Sequence, residues 1–333
     1  MTREAVVPKS RILGTGRYVP ARVVTNDELG RKVDTSDGWI REHTGIVRRH
    51  VAAEGEVTSD MAAAAGRAAI ESAGLTVADL DMIVVATVSG DSPMPATAVH
   101  VQQKLGADLI PSFDLAAGFA GFLYAMTVAD QFIAAGTFKT ILVVGADLLS
   151  RHVDPNDRTT LPLFGDGAGA VVLGPAQGDG RGILSSRIHA DGALAGLMTV
   201  PGGGSAQPMT PERLAEKKQY VRMNGPELFA VSVKHLTSYS MQALKAARLT
   251  SAELDWVVPQ QANRNIVQRI SQRLGYSRSK FVENLEEYGN TSAASIPIAL
   301  DEAVRDGRIK PGQTVLMCAL GAGIAWGAAI VRM

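Results

Sequence analysis

The stretch Ser112-Phe113-Asp114-Leu115-Ala116-Ala117-Gly118-Phe119-Ala120-Gly121-Phe122 runs on into Leu123-Tyr124-Ala125-Met126. It predicts a strand that turns sharply into an apolar helix. Small residues crowd the turn: Ala116, Ala117, Gly118, Ala120 and Gly121. A turn of this kind seats one side chain at a helix N-terminus, where unpaired N–H groups and the helix dipole favour negative charge. A nucleophile held there has its pKa lowered and its products stabilised. In this chain the seat belongs to Phe119, which has no electron pair to offer.

On either side of this stretch, Met82-Ile83-Val84-Val85-Ala86-Thr87-Val88 and Ile141-Leu142-Val143-Val144-Gly145-Ala146 are continuous apolar runs rich in β-branched residues. They predict strands buried on both faces. An opening strand is predicted over 11–20. Helices are predicted over 26–33, 36–42 (with Thr35 or Ser36 as cap), 59–73 (closed by Gly74) and 96–105 (stopped by Gly106). This alternation implies a largely parallel sheet covered by helices on both faces. The second part of the chain repeats the order. Helices are predicted over 227–247, 263–274 and 292–306, the last only if Pro297 lies near its first turn, and strands over 256–259, 314–319 and 324–332. The repetition suggests an internal duplication, with halves 1–175 and 176–333. The Gly- and Pro-rich segment 201–211 reads as a loop.

The totals narrow the function classes. The chain has 333 residues, 46% of them hydrophobic, enough for a sizeable core. Lys plus Arg and Asp plus Glu are 33 each, a net charge of 0, which points away from nucleic acid and anionic membranes as main partners. Zero net charge also leaves association between copies unopposed. The one cysteine, Cys318, allows no intrachain disulfide and suits a reducing compartment. No apolar run follows the N-terminus, and none approaches the roughly 20 residues of a membrane span. A cytoplasmic protein is expected.

Several motifs have plain structural readings. Phe164-Gly165-Asp166-Gly167-Ala168-Gly169-Ala170 has glycines like a phosphate loop, but it runs into Val171-Val172-Leu173, a strand and not a helix. It reads as a tight turn with close backbone packing. Gly321-Ala322-Gly323 reads as a turn between strands whose amides can face a site. His43, His50, His100, His152, His189 and His235 show no metal-ligand spacing, so no metal site is expected. Cys318 lies in an apolar run and reads as an inert buried thiol.

Three further blocks occur in order with these: Asp34-Thr35-Ser36-Asp37-Gly38-Trp39-Ile40, Val258-Pro259-Gln260-Gln261-Ala262-Asn263 and Tyr288-Gly289-Asn290-Thr291-Ser292-Ala293-Ala294-Ser295. Together with the opening stretch and the 164–169 block, they make the chain resemble the β-ketoacyl-acyl-carrier-protein synthase III family over nearly its whole length. The resemblance implies an α/β, thiolase-like fold of five layers (αβαβα) built from two duplicated halves and working as a homodimer. It implies decarboxylative condensation of an acyl-CoA primer with malonyl-acyl-carrier protein in fatty-acid or polyketide synthesis. CoA or a phosphopantetheine thioester is then the ligand, with no permanently bound cofactor.

The family's catalytic set is Cys, His and Asn. By motif the cysteine falls on Phe119, the histidine on Gln260 and the asparagine on Asn290. Covalent acyl transfer through Phe119 is chemically excluded. Gln260 cannot accept and return a proton near neutral pH, but its amide can donate a hydrogen bond. With Asn290 it can polarise one carbonyl. The resemblance also implies oxyanion donors at the backbone N–H of Phe119 and Ala322. Contacts to CoA or its pantetheine arm fall on Trp39, Arg158, Phe229, Ala262 and Asn263. Met94 falls where a partner subunit shapes the acyl pocket. Trp39's arginine partner is replaced by His43, and the basic residue that meets carrier protein by Asn265, next to Arg264.

These substitutions leave four readings. One is a non-condensing relative whose Phe119 fills the acyl tunnel and mimics an acylated cysteine, alone or as the non-catalytic subunit of a heterodimer with an active relative. Another is a residual enzyme, a malonyl-thioester decarboxylase or direct acyltransferase using Gln260 and Asn290. A third is an engineered inactive form of a condensing enzyme. The fourth is a binding role outside thioester metabolism.

Overall fold

The computed structural model of the chain describes residues 6–333. The two apolar runs form the centre of a five-stranded sheet, ordered Ser10–Tyr18, Gly167–Pro175, Ile141–Asp147, Met82–Ala86, Ser112–Leu115. The last three strands run parallel, and the first two join them antiparallel. A second sheet is ordered Trp256–Pro259, Thr314–Gly321, Ala325–Arg332, Gly182–Ala190. A parallel bridge from Phe281 to Val257 continues it beyond Trp256–Pro259. Both sheets therefore read parallel, parallel, antiparallel, antiparallel across their width. This is the same topology built twice.

Period two along the strands sends alternate side chains to different layers. Met82, Val84 and Ala86 point to the core between the sheets, while Ile83 and Val85 point to the outer one. The helices Gly121–Ala134 and Ser295–Arg305 fill the layer between the sheets. Phe122, Leu123, Ala125, Met126 and Ala129 of the first are fully buried, while Gln131 and Ala134 near its C-terminal end are exposed. Thr58–Ser72 and Thr97–Leu105 cover the outer face of the first sheet. Gly225–Ala246 and Arg264–Leu274 cover that of the second. The result is the expected αβαβα sandwich. No helix among the described residues is long and apolar enough to cross a membrane.

The expected helix 292–306 divides into a 3-10 turn, Ser292–Ala294, and the helix Ser295–Arg305. Pro297 then lies in the first turn, where its missing N–H has no partner to lose. The 164–169 block is a turn entering the strand Gly167–Pro175, as read. The strand Gly182–Ala190, the antiparallel pair Arg22–Thr25/Arg48–Val51 and the helix Pro211–Ala215 go beyond the sequence reading. Gly182–Ala190 is an edge strand whose Ser185, Ser186, Arg187 and His189 interrupt the apolar pattern. The loop 201–211 is bracketed by Met198–Thr199 and Arg222–Met223, which pair with each other.

Candidate functional site

The strand Ser112–Leu115 passes through a 3-10 turn, Gly118–Ala120, into the helix Gly121–Ala134. Gly118 has φ +54°, a conformation that suits glycine. The turn after Thr314–Gly321 packs directly on this backbone. A Cβ on Gly321 would lie 2.1 Å from the Phe119 nitrogen, and one on Gly118 would lie 2.5 Å from the Ala322 nitrogen. Two main chains thus meet where only glycine fits. Phe119 itself is 8% exposed and sits in an apolar cluster with Leu149, Val153, Phe164, Met198 and Val221. Its ring meets that of Phe164 edge-on, with centroids 5.9 Å apart.

Asn290 reaches the same place through its backbone. Its N–H donates to the Leu163 carbonyl at 2.9 Å, and its carbonyl accepts from the Gly165 N–H at 3.1 Å. Gly165 allows this approach, since a Cβ there would lie 2.1 Å from the Tyr288 oxygen. The following turn is tied to the first sheet by Asp147, which is wholly buried. Asp147 accepts from the N–H groups of Ala293 (3.2 Å) and Val88 (2.8 Å) and from the Ser89 hydroxyl (2.7 Å). Burial pushes its carboxyl above the usual carboxylate range.

Gln260 follows the strand Trp256–Pro259, held by its N–H on the Cys318 carbonyl at 2.8 Å. Its Nε2 donates to Asn290 Oδ1 at 3.0 Å, and the Ser292 N–H donates to the same oxygen at 2.9 Å. A backbone N–H can only donate, so it fixes which Asn290 atom is oxygen. That in turn fixes the Gln260 atom facing it as nitrogen. Among the described residues, no partner meets Asn290 Nδ2 or Gln260 Oε1.

Both side chains line a cavity of about 150 Å³ together with Phe119, Phe229, Ala262 and Asn263. Among the described residues, no charged side chain is on its wall. The chain thus brings these six sequence-derived positions together. Ala322 is not on the wall, which Gly321 lines instead, because the Ala322 nitrogen faces Gly118. Ala322 packs beside the Phe119 cluster. Met94 is 82% exposed and lies off the cavity of its own chain. Trp39 and Arg158 form a separate outer group. The Arg158 guanidinium lies 5.0 Å from the Trp39 ring centroid and 3.3 Å from an Asp34 oxygen, and His43 stacks on Trp39 at 4.3 Å. Asn263 links the two groups, donating from Nδ2 to the His43 carbonyl at 3.0 Å while lining the cavity. Cys318 is fully buried and its thiol is pushed up to about 12 by desolvation, so it is no nucleophile. Sequence reasoning missed Phe164 as a wall of the site, and Asp147 and Ser292 as anchors of Asn290. Phe164 stands in a block read only as a turn, and Asp147 ends a strand whose apolar run masked it.

Comparisons agree with this architecture. Residues 113–192 match the family described as 3-oxoacyl-[acyl-carrier-protein (ACP)] synthase III, and residues 244–333 match its C-terminal counterpart. A β-ketoacyl-[acyl-carrier-protein] synthase III from Paramagnetospirillum magneticum is 48% identical over 332 residues, covering 98% of this chain and 100% of that protein. The crystal structure of 3-oxoacyl-[acyl-carrier-protein] synthase III from Aquifex aeolicus superposes with a TM-score of 0.90 at 41% identity, covering 97% of this chain and 100% of that one. The priming β-ketosynthase of the R1128 polyketide pathway gives 0.89 at 33% identity, covering 99% and 97%. The chain therefore belongs to the β-ketoacyl-acyl-carrier-protein synthase III family and has its thiolase-like fold.

Proposed function

We propose that this chain binds acyl thioesters of CoA or carrier protein without forming an acyl-enzyme. The observation that carries this reading is the buried Phe119 ring, packed against Phe164 beside a cavity that keeps Asn290 and Gln260. The ring stands where an acyl group on a cysteine would stand, and its carbon-only surface suits that space. The pantetheine arm enters past Asn263 and Phe229, with the nucleotide held at Trp39 and Arg158. Asn290 Nδ2 donates to the thioester carbonyl, supported by the backbone N–H of Phe119. Among the described residues, the side chains lining the cavity are apolar or neutral polar ones, which do not act as a general base near neutral pH.

A partner chain fits the same reading. The strand Ser112–Leu115 is at the edge of its sheet, with one side unpaired, and Leu109 and Met94 nearby in sequence are strongly exposed. Such edges invite pairing. A second copy, or an active relative in a heterodimer, is the proposed occupant. The halves 1–175 and 176–333 are the proposed units of duplication, supported by the strands of the first sheet lying within 10–175 and those of the second within 182–332. The reducing cytoplasm is the proposed location.

A second reading, malonyl-thioester decarboxylation, draws on the same Asn290 donor. Calorimetry with acetyl-CoA and malonyl-CoA, followed by product analysis with malonyl-carrier protein, separates the two. We expect binding with neither condensation product nor carbon dioxide. Carbon dioxide release above background favours the second reading, and a β-ketoacyl product refutes the first.

A further inference from the structure

We propose that Gln260 makes the cavity selective for thioesters whose acyl group carries a hydroxyl near the thioester carbonyl. This rests on the reading that a thioester occupies the cavity. The polar side chains on the wall are Ser232, Asn263, Gln260 and Asn290. Asn263 is committed in both directions, donating to the His43 carbonyl and accepting from the Asn265 N–H at 2.8 Å. Asn290 Oδ1 already accepts from Gln260 Nε2 and from the Ser292 N–H. What the pair turns to a ligand is therefore one donor, Asn290 Nδ2, and one acceptor, Gln260 Oε1.

A plain acyl thioester carries only acceptors at its reacting end. Its carbonyl meets Asn290 Nδ2, but nothing on it meets Gln260 Oε1. Entering the cavity, it strips water from that oxygen and leaves it unpaired among Phe119, Leu320 and other apolar side chains. A hydroxyl on the acyl chain donates to Gln260 Oε1 while the carbonyl accepts from Asn290, so both groups are matched. Sites built to meet a hydroxyl discriminate strongly against the analogue that lacks it. A carboxylate in the hydroxyl's place brings a negative charge toward the Gln260 oxygen in a cavity without a charged side chain on its wall. The order of affinity that follows is hydroxyacyl, then unsubstituted acyl, then malonyl.

The test is calorimetry of the intact chain with 3-hydroxybutyryl-CoA, butyryl-CoA and malonyl-CoA, repeated on Gln260→Met, which keeps the length and removes the amide. The wild type is expected to bind 3-hydroxybutyryl-CoA about 10- to 100-fold more tightly than butyryl-CoA. The variant is expected to bring the ratio to near one while still binding butyryl-CoA. Equal affinities in the wild type overturn the inference and leave thioester binding standing, and so does a preference that survives in the variant. Should the variant fail to fold, the wild-type ratio alone decides. No binding of any of the three by folded wild type overturns the thioester reading as well.

Discussion

The rings of Phe119 and Phe164 meet edge to face at 5.9 Å, and each belongs to a different structural debt: Phe119 to the 3-10 turn ahead of a buried helix, Phe164 to the segment that Asn290 grips by its backbone. The contact joins the turn that carries Phe119 to the segment tied to Asn290. It makes the phenyl ring a packed part of the cavity wall.

Phe119→Ala tests that packing. Removing a buried phenyl ring costs about 3–5 kcal/mol in well-filled cores. Phe119 borders a cavity, so the low end of that range is expected, measured as a shift in the urea unfolding midpoint. The freed space is also expected to accept longer acyl chains, read as tighter binding of hexanoyl-CoA relative to acetyl-CoA. An unchanged midpoint with unchanged chain preference would show that the ring fills no acyl space.

Trp39 lies outside the cavity, with Arg158 and His43 around its ring. If this group holds the nucleotide of CoA, Trp39→Ala weakens acetyl-CoA binding by about tenfold, the scale of lost aromatic and cation–π contacts. Acetyl-pantetheine, which lacks the nucleotide, is expected to bind the variant and the wild type alike. Equal losses for the two ligands contradict the assignment.

His152 follows the Leu149–Arg151 turn beside the Phe119 cluster, and burial holds its pKa below the ordinary value, with Asp147 and Asp166 pulling the other way. The unfolded chain then binds a proton that the folded chain resists. Stability is full above about pH 6.5 and falls as pH drops below it toward the folded pKa. His235 is shifted in the same direction by burial and Lys234. Urea midpoints at pH 8 and 5.5 are expected to converge partly in His152→Gln and further when His235→Gln is added. A pH dependence unchanged in the double variant rules out these histidines as its source.

Much of the fold was legible because its signals are local. The runs at 82–88 and 141–146 are apolar enough to be central strands, and Gly106 and Asn263 mark helix ends where the chain has them. Gln260 and Asn290 were legible as chemistry but not as a pair oriented by Ser292, since that depends on one backbone N–H in the folded turn. The grip of Asn290 on Leu163 and Gly165, and of the Asp147 carboxylate on the Ala293 N–H, links parts of the chain more than 100 residues apart. Such bonds leave no periodicity to read. The edge strand Gly182–Ala190 escaped for a different reason: its exposed positions are polar, so its pattern resembles a loop.

The most direct measurement is intact-protein mass spectrometry after exposure to acetyl-CoA, for the wild type and for Phe119→Cys combined with Gln260→His. The wild type is expected to keep its mass, and the double variant to gain one acetyl group on the new cysteine. An acetyl group on the wild-type chain would contradict the claim that this site holds thioesters without a covalent intermediate.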